Sequence, residues 1–251
     1  MDTAAKTAVK RIRFLDVPVD AVEPDEAIRV LDRLASDGER HHVALLTVRK
    51  LMRARRDMLA YRYLSKASLV LPVSRGIVRG ARFQKKPDLA RFEPFDFVIR
   101  VLTLAEETGR PVYLLGGRKE DLLQAEANLR TSFPTLRIIG RYAGRFGKRE
   151  GKSVVMAIRK AAPAFLLVGS GVPGGESWIA AMQKELAPGV AIWIDDCFEV
   201  FANRRSRPSR EAFERGTESL ARIATRPWRW LRVFSFLYFT LLVLWFRVTH
   251  R

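Results

Sequence analysis

The sequence predicts an α/β fold, a mostly parallel sheet flanked by helices, followed by a basic helical appendage. Three observations carry this reading. Short apolar runs alternate with amphipathic stretches along most of the chain, as in βαβ units whose strands are buried on both faces. Residues 165–199 hold one such unit in full: an apolar run (165–168), a glycine-rich turn from Gly169 to Glu176, helical spacing at Trp178, Ile179, Met182 and Leu186, and a second run (190–194) ending on Asp195 and Asp196. Beyond residue 200 the composition turns arginine-rich and then uncharged and apolar. The expected organisation is an α/β domain over 1–200 and an appendage over 201–251. A Rossmann-like sheet of this kind binds ligands beyond the carboxyl ends of its strands.

Composition narrows the classes. The chain has 251 residues, 48% of them hydrophobic, enough for a substantial core. Its net charge of +18 calls for an anionic partner: nucleic acid, a membrane surface or a phosphate-bearing substrate. The single cysteine, Cys197, excludes an intramolecular disulfide and suits a reducing compartment. Cys197 follows two acids, so packing is the expected role rather than nucleophilic attack. Among its cysteine and three histidines no cluster has metal-ligand spacing, and no metal or cofactor is expected. The N-terminal residues lack the apolar core of a signal peptide.

Residues 12–19 alternate apolar and polar and fit one strand; Pro24-Asp25-Glu26 opens a helix with Ala27, Val30, Leu31 and Leu34 on one face. Residues 43–47 form a strand ending on Thr47, which fits either a helix cap or a polar group at a strand end. The basic helix after it, with Lys50, Arg53, Arg55 and Arg56, reads as a solvated face. Residues 68–72 form the next strand, 97–107 a helix and 111–115 a strand. Gly116-Gly117 turns that strand into a helix over 119–129, and a glycine pair there can admit a phosphate. A strand over 136–140 and a helix over 154–161 lead into the central unit.

The turn in that unit supports more than one reading. Gly169, Gly171 and Gly174 spell G-x-G-x-x-G after a strand, with acids about 20 residues on, as in dinucleotide-binding oxidoreductases. Pro173, however, removes a backbone donor where a phosphate would need one. The wider string, with Val168, Gly169, Gly171, Pro173, Glu176, Trp178 and Ile179, resembles the V-G-x-G-x-P-K-Q-E-x-W-I loop of the WecG/TagA/CpsF family of glycosyltransferases. A plain strand-to-helix turn is the remaining alternative.

The resemblance extends over residues 12–232 and implies site residues. Arg91 and Asp96 fit the family's R-x-x-G-x-D, which places the arginine in the substrate pocket; alternatively the two pair with each other. Thr47, Arg91 and Glu199 are the implied catalytic group, and Gly116, Gly117, Asp96, Gly169, Gly171 and Glu176 the donor-binding group. Glu199 keeps the acid of the family's G-G-x-F-D, though a solvated loop carboxylate is as good a reading of it. The departures are Val73 at the position of the family's proposed catalytic Asp, Arg49 for Asn, Pro94 for Gly, Gly174-Gly175 for Lys-Gln, and Asp195-Asp196 for the two glycines of G-G-x-F-D. Valine cannot accept a proton, so a member that binds without turnover is an open alternative.

In the tail, Arg207, Arg222, Arg229 and Arg232 match basic positions that the family uses toward a lipid-linked diphosphate. Residues 233–246 carry no charge and fall short of the ~20 residues of a spanning helix. Arginines on both sides point to an interfacial helix at an anionic surface, with a buried helix or a short, tilted span as alternatives. No nucleic-acid recognition motif accompanies the charge, so nucleic acid is not an expected partner. The resemblance implies inverting, metal-free transfer of N-acetylmannosamine or its uronic acid from a UDP-sugar to an undecaprenyl-diphosphate-linked acceptor. It also implies a cytoplasmic-face location and self-association.

Overall fold

The computed structural model describes residues 9–207 and 231–249. Six strands form one all-parallel sheet: β3 (Arg40–Leu46), β4 (Leu69–Pro72), β5 (Val112–Leu115), β6 (Ile138–Tyr142), β7 (Phe165–Gly169) and β8 (Gly189–Asp195). Their order is β4-β3-β8-β7-β5-β6. The chain enters at β3, adds β4 on one side and crosses to β5 and β6 on the other. It then returns to fill the centre with β7 and β8. The direction of winding thus reverses over β7 and β8, and the crevice of a doubly wound sheet opens at such a reversal.

Strand residues alternate between two apolar layers because side chains alternate across a strand. Val43 and Leu45, Phe165 and Leu167 face one layer; Ala44 and Leu46, Leu166 and Val168 face the other. The first layer is covered by α1 (Pro24–Leu34), α5 (Pro94–Glu107), α6 (Lys119–Ser132) and α9 (Cys197–Phe201). The second is covered by α2 (Val48–Ala54), α3 (Met58–Lys66), α4 (Arg75–Phe83), α7 (Lys148–Ala161) and α8 (Ser177–Met182).

The single strand expected over residues 12–19 is an antiparallel hairpin, β1 (Lys10–Phe14) and β2 (Val17–Ala21). Its two-residue turn puts Leu15 and Asp16 at φ 49° and 64°, the doubly positive geometry that matches strand twist. Buried Asp20 anchors the hairpin beside β4. It receives two hydrogen bonds from Arg11, at 2.7 and 2.8 Å, and one from the Val70 amide at 2.7 Å. Helix α8 ends at Met182, so Leu186 packs from the following loop rather than from the helix expected through it.

The apolar tail forms α10 (Leu231–Thr249). One side docks: Phe239 and Val243 are buried in the second layer, with Phe239 edge-on to Phe14. Glycines at α4 positions 76 and 80 make room for this. A Cβ on Gly80 would stand 2.7 Å from the Phe14 ring, and one on Gly76 would stand 3.3 Å from Phe239. The other side, Tyr238, Leu241, Leu244, Trp245 and Val248, is exposed, with Trp245 at 65%. Neither a buried helix nor a wholly solvent-facing one describes it. No helix among the described residues is long and apolar enough to cross a membrane.

Candidate functional site at the carboxyl edge of the sheet

Four strand ends and the turns after them meet over the winding reversal. At the end of β3, Thr47 is the N-cap of α2, its Oγ1 accepting from the Lys50 amide at 3.2 Å. Beside it, at the end of β4, the Val73 amide donates to the Leu46 carbonyl. Ser74 Oγ accepts from the Val48 amide, tying the starts of α2 and α4 together. Arg91 Nε donates to the Val73 carbonyl at 2.8 Å, so this guanidinium is fixed at the edge of β4. Val73 packs partly buried against the first apolar layer.

The glycine turns pack on one another. A Cβ on Gly116 would lie 2.7 Å from the Gly169 nitrogen, and one on Gly144 2.7 Å from the Ser170 carbonyl oxygen. Only glycine allows these backbones to touch. The amides are committed as well: Gly116 to Tyr142, Gly117 to Ser170, Gly144 to Gly117 and Ser170 to Asp195. Gly116, Gly117 and Gly169 are therefore buried structural contacts beneath the edge, while Gly171 lies outside them, exposed, at φ +88°. The dinucleotide reading needs amides turned toward a pyrophosphate, and those of Gly117 and Ser170 are turned inward.

Glu176 lies where the family string places it, just before α8. Its carboxylate is nearly buried and stands 2.6 Å from Lys50 Nζ, itself nearly buried. The contact is ionic without hydrogen-bond direction, since Glu176 Oε2 has no hydrogen-bond partner among the described residues. Lys50 was expected on a solvated face; the structure corrects this. A signal existed. Lys50 is the third residue of α2 after a Thr cap, a position that favours Glu, because cations are disfavoured near the positive end of a helix. A lysine there implies a carboxylate partner from outside the helix.

At the end of β8 stand three acids. Asp196 is held by Arg205 at 2.6 Å. Glu199, in the first turn of α9, makes no side-chain ion pair or hydrogen bond among the described residues. Asp195 is exposed and has φ +52°, in the left-handed region. The protein wall around its carboxylate pushes its pKa up, as do Asp196 and Glu176, while Lys50 and Arg49 pull it down. Burial raises the Cys197 thiol far above its ordinary value, consistent with packing.

Asp96 does not pair with Arg91. It pairs with Arg207, which also lies 3.8 Å from Glu93 and over the Phe95 ring. The segment after α9 is thereby pinned to the start of α5. Of the tail arginines, Arg222, Arg229 and the side chain of Arg232 lie outside the described residues. Thr47, Arg91, Glu176 and Glu199 thus share one sheet edge, with Lys50 and Asp195 joining them. No group of three or more potential metal ligands occurs among the described residues.

Comparison with known proteins bears on this edge. A family profile described as "Glycosyl transferase WecG/TagA/CpsF family" matches residues 12–251. Similar proteins include the N-acetylglucosaminyldiphosphoundecaprenol N-acetyl-beta-D-mannosaminyltransferase of Bacillus subtilis, 25% identical over 72% of this chain and 70% of that protein. Proteins of the same description from Bacillus spizizenii (26% identical, 68% of this chain, 66% of that protein) and Staphylococcus aureus (24%, 57% and 56%) follow. The chain therefore spans between about half and 70% of the length of these relatives. With the Gly169–Glu176 loop at the reversal of a parallel sheet and the match running almost from end to end, the chain belongs to the WecG/TagA/CpsF family of glycosyltransferases.

Proposed function

We propose that the protein transfers N-acetylmannosamine or its uronic acid, with inversion, from a UDP-sugar to an undecaprenyl-diphosphate-linked N-acetylglucosamine. The observation that carries this is the convergence of Arg91, Thr47, the Lys50–Glu176 pair and the β8 acids on one strand-end edge of the sheet, in a chain whose relatives bear that name. The crevice takes the donor. Arg91, fixed by the Val73 carbonyl, neutralises phosphate charge, and the exposed part of the Gly171 turn borders the nucleotide. Arg222, Arg229 and Arg232 bind the acceptor diphosphate, joined by Arg207 when it exchanges Asp96 for phosphate.

The apolar face of α10 rests on an anionic membrane at the cytoplasmic side. Trp245, Leu241 and Val248 supply apolar area. Arg55 over Phe246, Arg56 over Tyr238 and Arg247 over Phe83 frame the helix with positive charge. Since α10 docks on α4, whose first residues follow β4, the lipid-facing surface adjoins the crevice.

The test is UDP release with a lipid-linked acceptor. Wild type turns over, and Arg91→Ala lowers kcat/KM about 100-fold or more. Failure of wild type with every acceptor and donor tried refutes the reaction. The paired change Leu241→Glu with Trp245→Glu abolishes binding to anionic vesicles while leaving the fold intact; unchanged binding refutes the membrane reading. A second reading, binding without turnover, is favoured by Val73, which packs against apolar neighbours where the family carries an acid. It predicts that UDP-sugar binds but is not consumed.

A further inference from the structure

Resting on the transferase reading above, the geometry points to Asp195 as the general base of this chain, a catalytic carboxylate at the end of β8 that takes the place of the acid absent at Val73.

The acids at the edge can be sorted by what already holds them. Glu176 is committed to Lys50, Asp196 to Arg205 and Asp96 to Arg207, and Glu93 caps α5 through the Asp96 amide. Among the described residues, Asp195 and Glu199 have carboxylates with no hydrogen bond or ion pair. Asp195 differs from Glu199 in three ways. It ends the central strand of the reversal, so its backbone is fixed: it pairs with Gly169 across the ladder, and its carbonyl accepts the Ser170 amide at 2.8 Å. It adopts the left-handed conformation, φ +52°, which a glycine would occupy without cost. Aspartate is among the few side chains that take up this conformation, and residues held in it gather at functional sites. Third, although the residue is exposed, its carboxylate is partly walled in by protein and feels Arg49 and Lys50 from α2, Glu176 from the β7–α8 turn, and neighbouring Asp196. Glu199, one turn into α9, has none of these features.

The position is also reachable. Val73 and Asp195 end strands β4 and β8 with only β3 between them. Two strand spacings of about 4.8 Å displace the carboxylate by about 10 Å along the edge, and Thr47 at the end of β3 lies between. In the step, Asp195 accepts the proton of the attacking acceptor hydroxyl as that oxygen bonds to the anomeric carbon. The bond from that carbon to the UDP oxygen breaks on the opposite face, and UDP leaves with the electron pair. No oxidant, reductant or metal is needed to balance it. Desolvation raises the Asp195 pKa, as do Asp196 and Glu176, against the pull of Lys50 and Arg49.

The experiment compares wild type, Asp195→Gly, Asp195→Asn and Glu199→Gln, using UDP-N-acetylmannosamine and a short-chain polyprenyl-diphosphate-linked N-acetylglucosamine. Asp195→Gly suits the backbone, so its fold is kept. The expected result is a fall in kcat of about 100-fold or more in both Asp195 variants, larger than the fall in Glu199→Gln, with unchanged affinity for UDP and loss of the acid limb of the wild-type pH profile. An Asp195→Gly enzyme that keeps kcat within about threefold, or a collapse in Glu199→Gln instead, overturns Asp195 as base and leaves the transferase reading intact. A wild type that releases no UDP overturns both.

Discussion

Breaking the Lys50–Glu176 pair tests whether this contact holds the crevice together. At 2.6 Å, with side chains 11% and 13% exposed, the attraction amounts to about 6 kcal/mol at an effective dielectric of ~20. Desolvation of both ions offsets most of that, so the intact pair contributes little net stability. Removing one partner has a different effect. Among the described residues Glu176 Oε2 accepts no hydrogen bond and has no other cation opposite, so without Lys50 it becomes an unpaired buried charge. Such a break costs about 3–5 kcal/mol, and the residual exposure puts this one near 3. Lys50→Met and Glu176→Gln are each expected to lower the melting temperature by about 6–12 °C, at about 2–4 °C per kcal/mol for a chain of this size. The double variant is less destabilised than the two losses combined, with a coupling of about 2 kcal/mol. Chemical denaturation of the four proteins at low and high salt measures it; burial makes the coupling insensitive to salt. Additive losses, or a Lys50→Met protein as stable as wild type, would refute the account of Lys50 as a buried counter-ion.

Asp20→Ala strands Arg11 and the Val70 amide at the hairpin anchor, and a loss of about 3 kcal/mol or more is expected in urea denaturation, with Asp20→Asn milder. Gly169→Ala drives a Cβ to 2.5 Å from the fully buried Phe198 ring, an overpacking expected to cost about 1–3 kcal/mol by thermal melting. His42 is buried, stacks on Tyr63 and meets its carbonyl at 2.7 Å through Nε2. Its Nδ1 has no hydrogen-bond partner among the described residues, and burial lowers its pKa. Below pH ~6.5 the unfolded chain therefore takes up a proton that the fold refuses. His42 contributes full stability above that pH and loses it toward the lower folded pKa, by at most about 1.4 kcal/mol per pH unit. Melts between pH 7.5 and 5 show this slope in wild type and its reduction in His42→Phe.

The six sheet strands were legible because strands buried on both faces are continuous apolar runs, and the helices between them keep a clear stripe. What escaped reading escaped for physical reasons. The hairpin merged into one strand because its turn is Leu15-Asp16, without the glycine or asparagine that usually marks positive φ. The two faces of α10 were hidden because its sequence is apolar all round; the division is made by Gly76 and Gly80 on another helix. Helix α8 stops early, and the Leu186 carbonyl accepts from Arg40 Nε instead of continuing a helix. The candidate site was half legible. Thr47 at a strand end and Glu176 at a helix start follow from the βαβ pattern, but which acid is paired to which base is a tertiary fact. The pairs of Asp96 with Arg207 and Glu176 with Lys50 join residues 111 and 126 positions apart.

The glycine turns bear most directly on how this edge can recognise a ligand. Gly-rich turns at strand ends suggest backbone amides cradling phosphate, yet here Gly116, Gly144 and Gly169 are required for backbones to lie against one another. Their neighbours' amides close the turns instead of facing out. A rigid edge built that way has few backbone donors to give, so side chains must supply the charge that meets a diphosphate. Arg91 on the Val73 carbonyl, Arg49 near Asp195, and Arg205 and Arg207 after α9 are the described groups in position to do so. Anion binding by planar guanidinium groups tolerates a shifted ligand better than a fixed amide cradle does, because each side chain can follow its phosphate. That latitude is what allows the proton acceptor to move from one strand end to another within the same crevice: the donor's phosphates can be held in a slightly different pose, and the reacting carbon then meets the carboxylate that β8 provides.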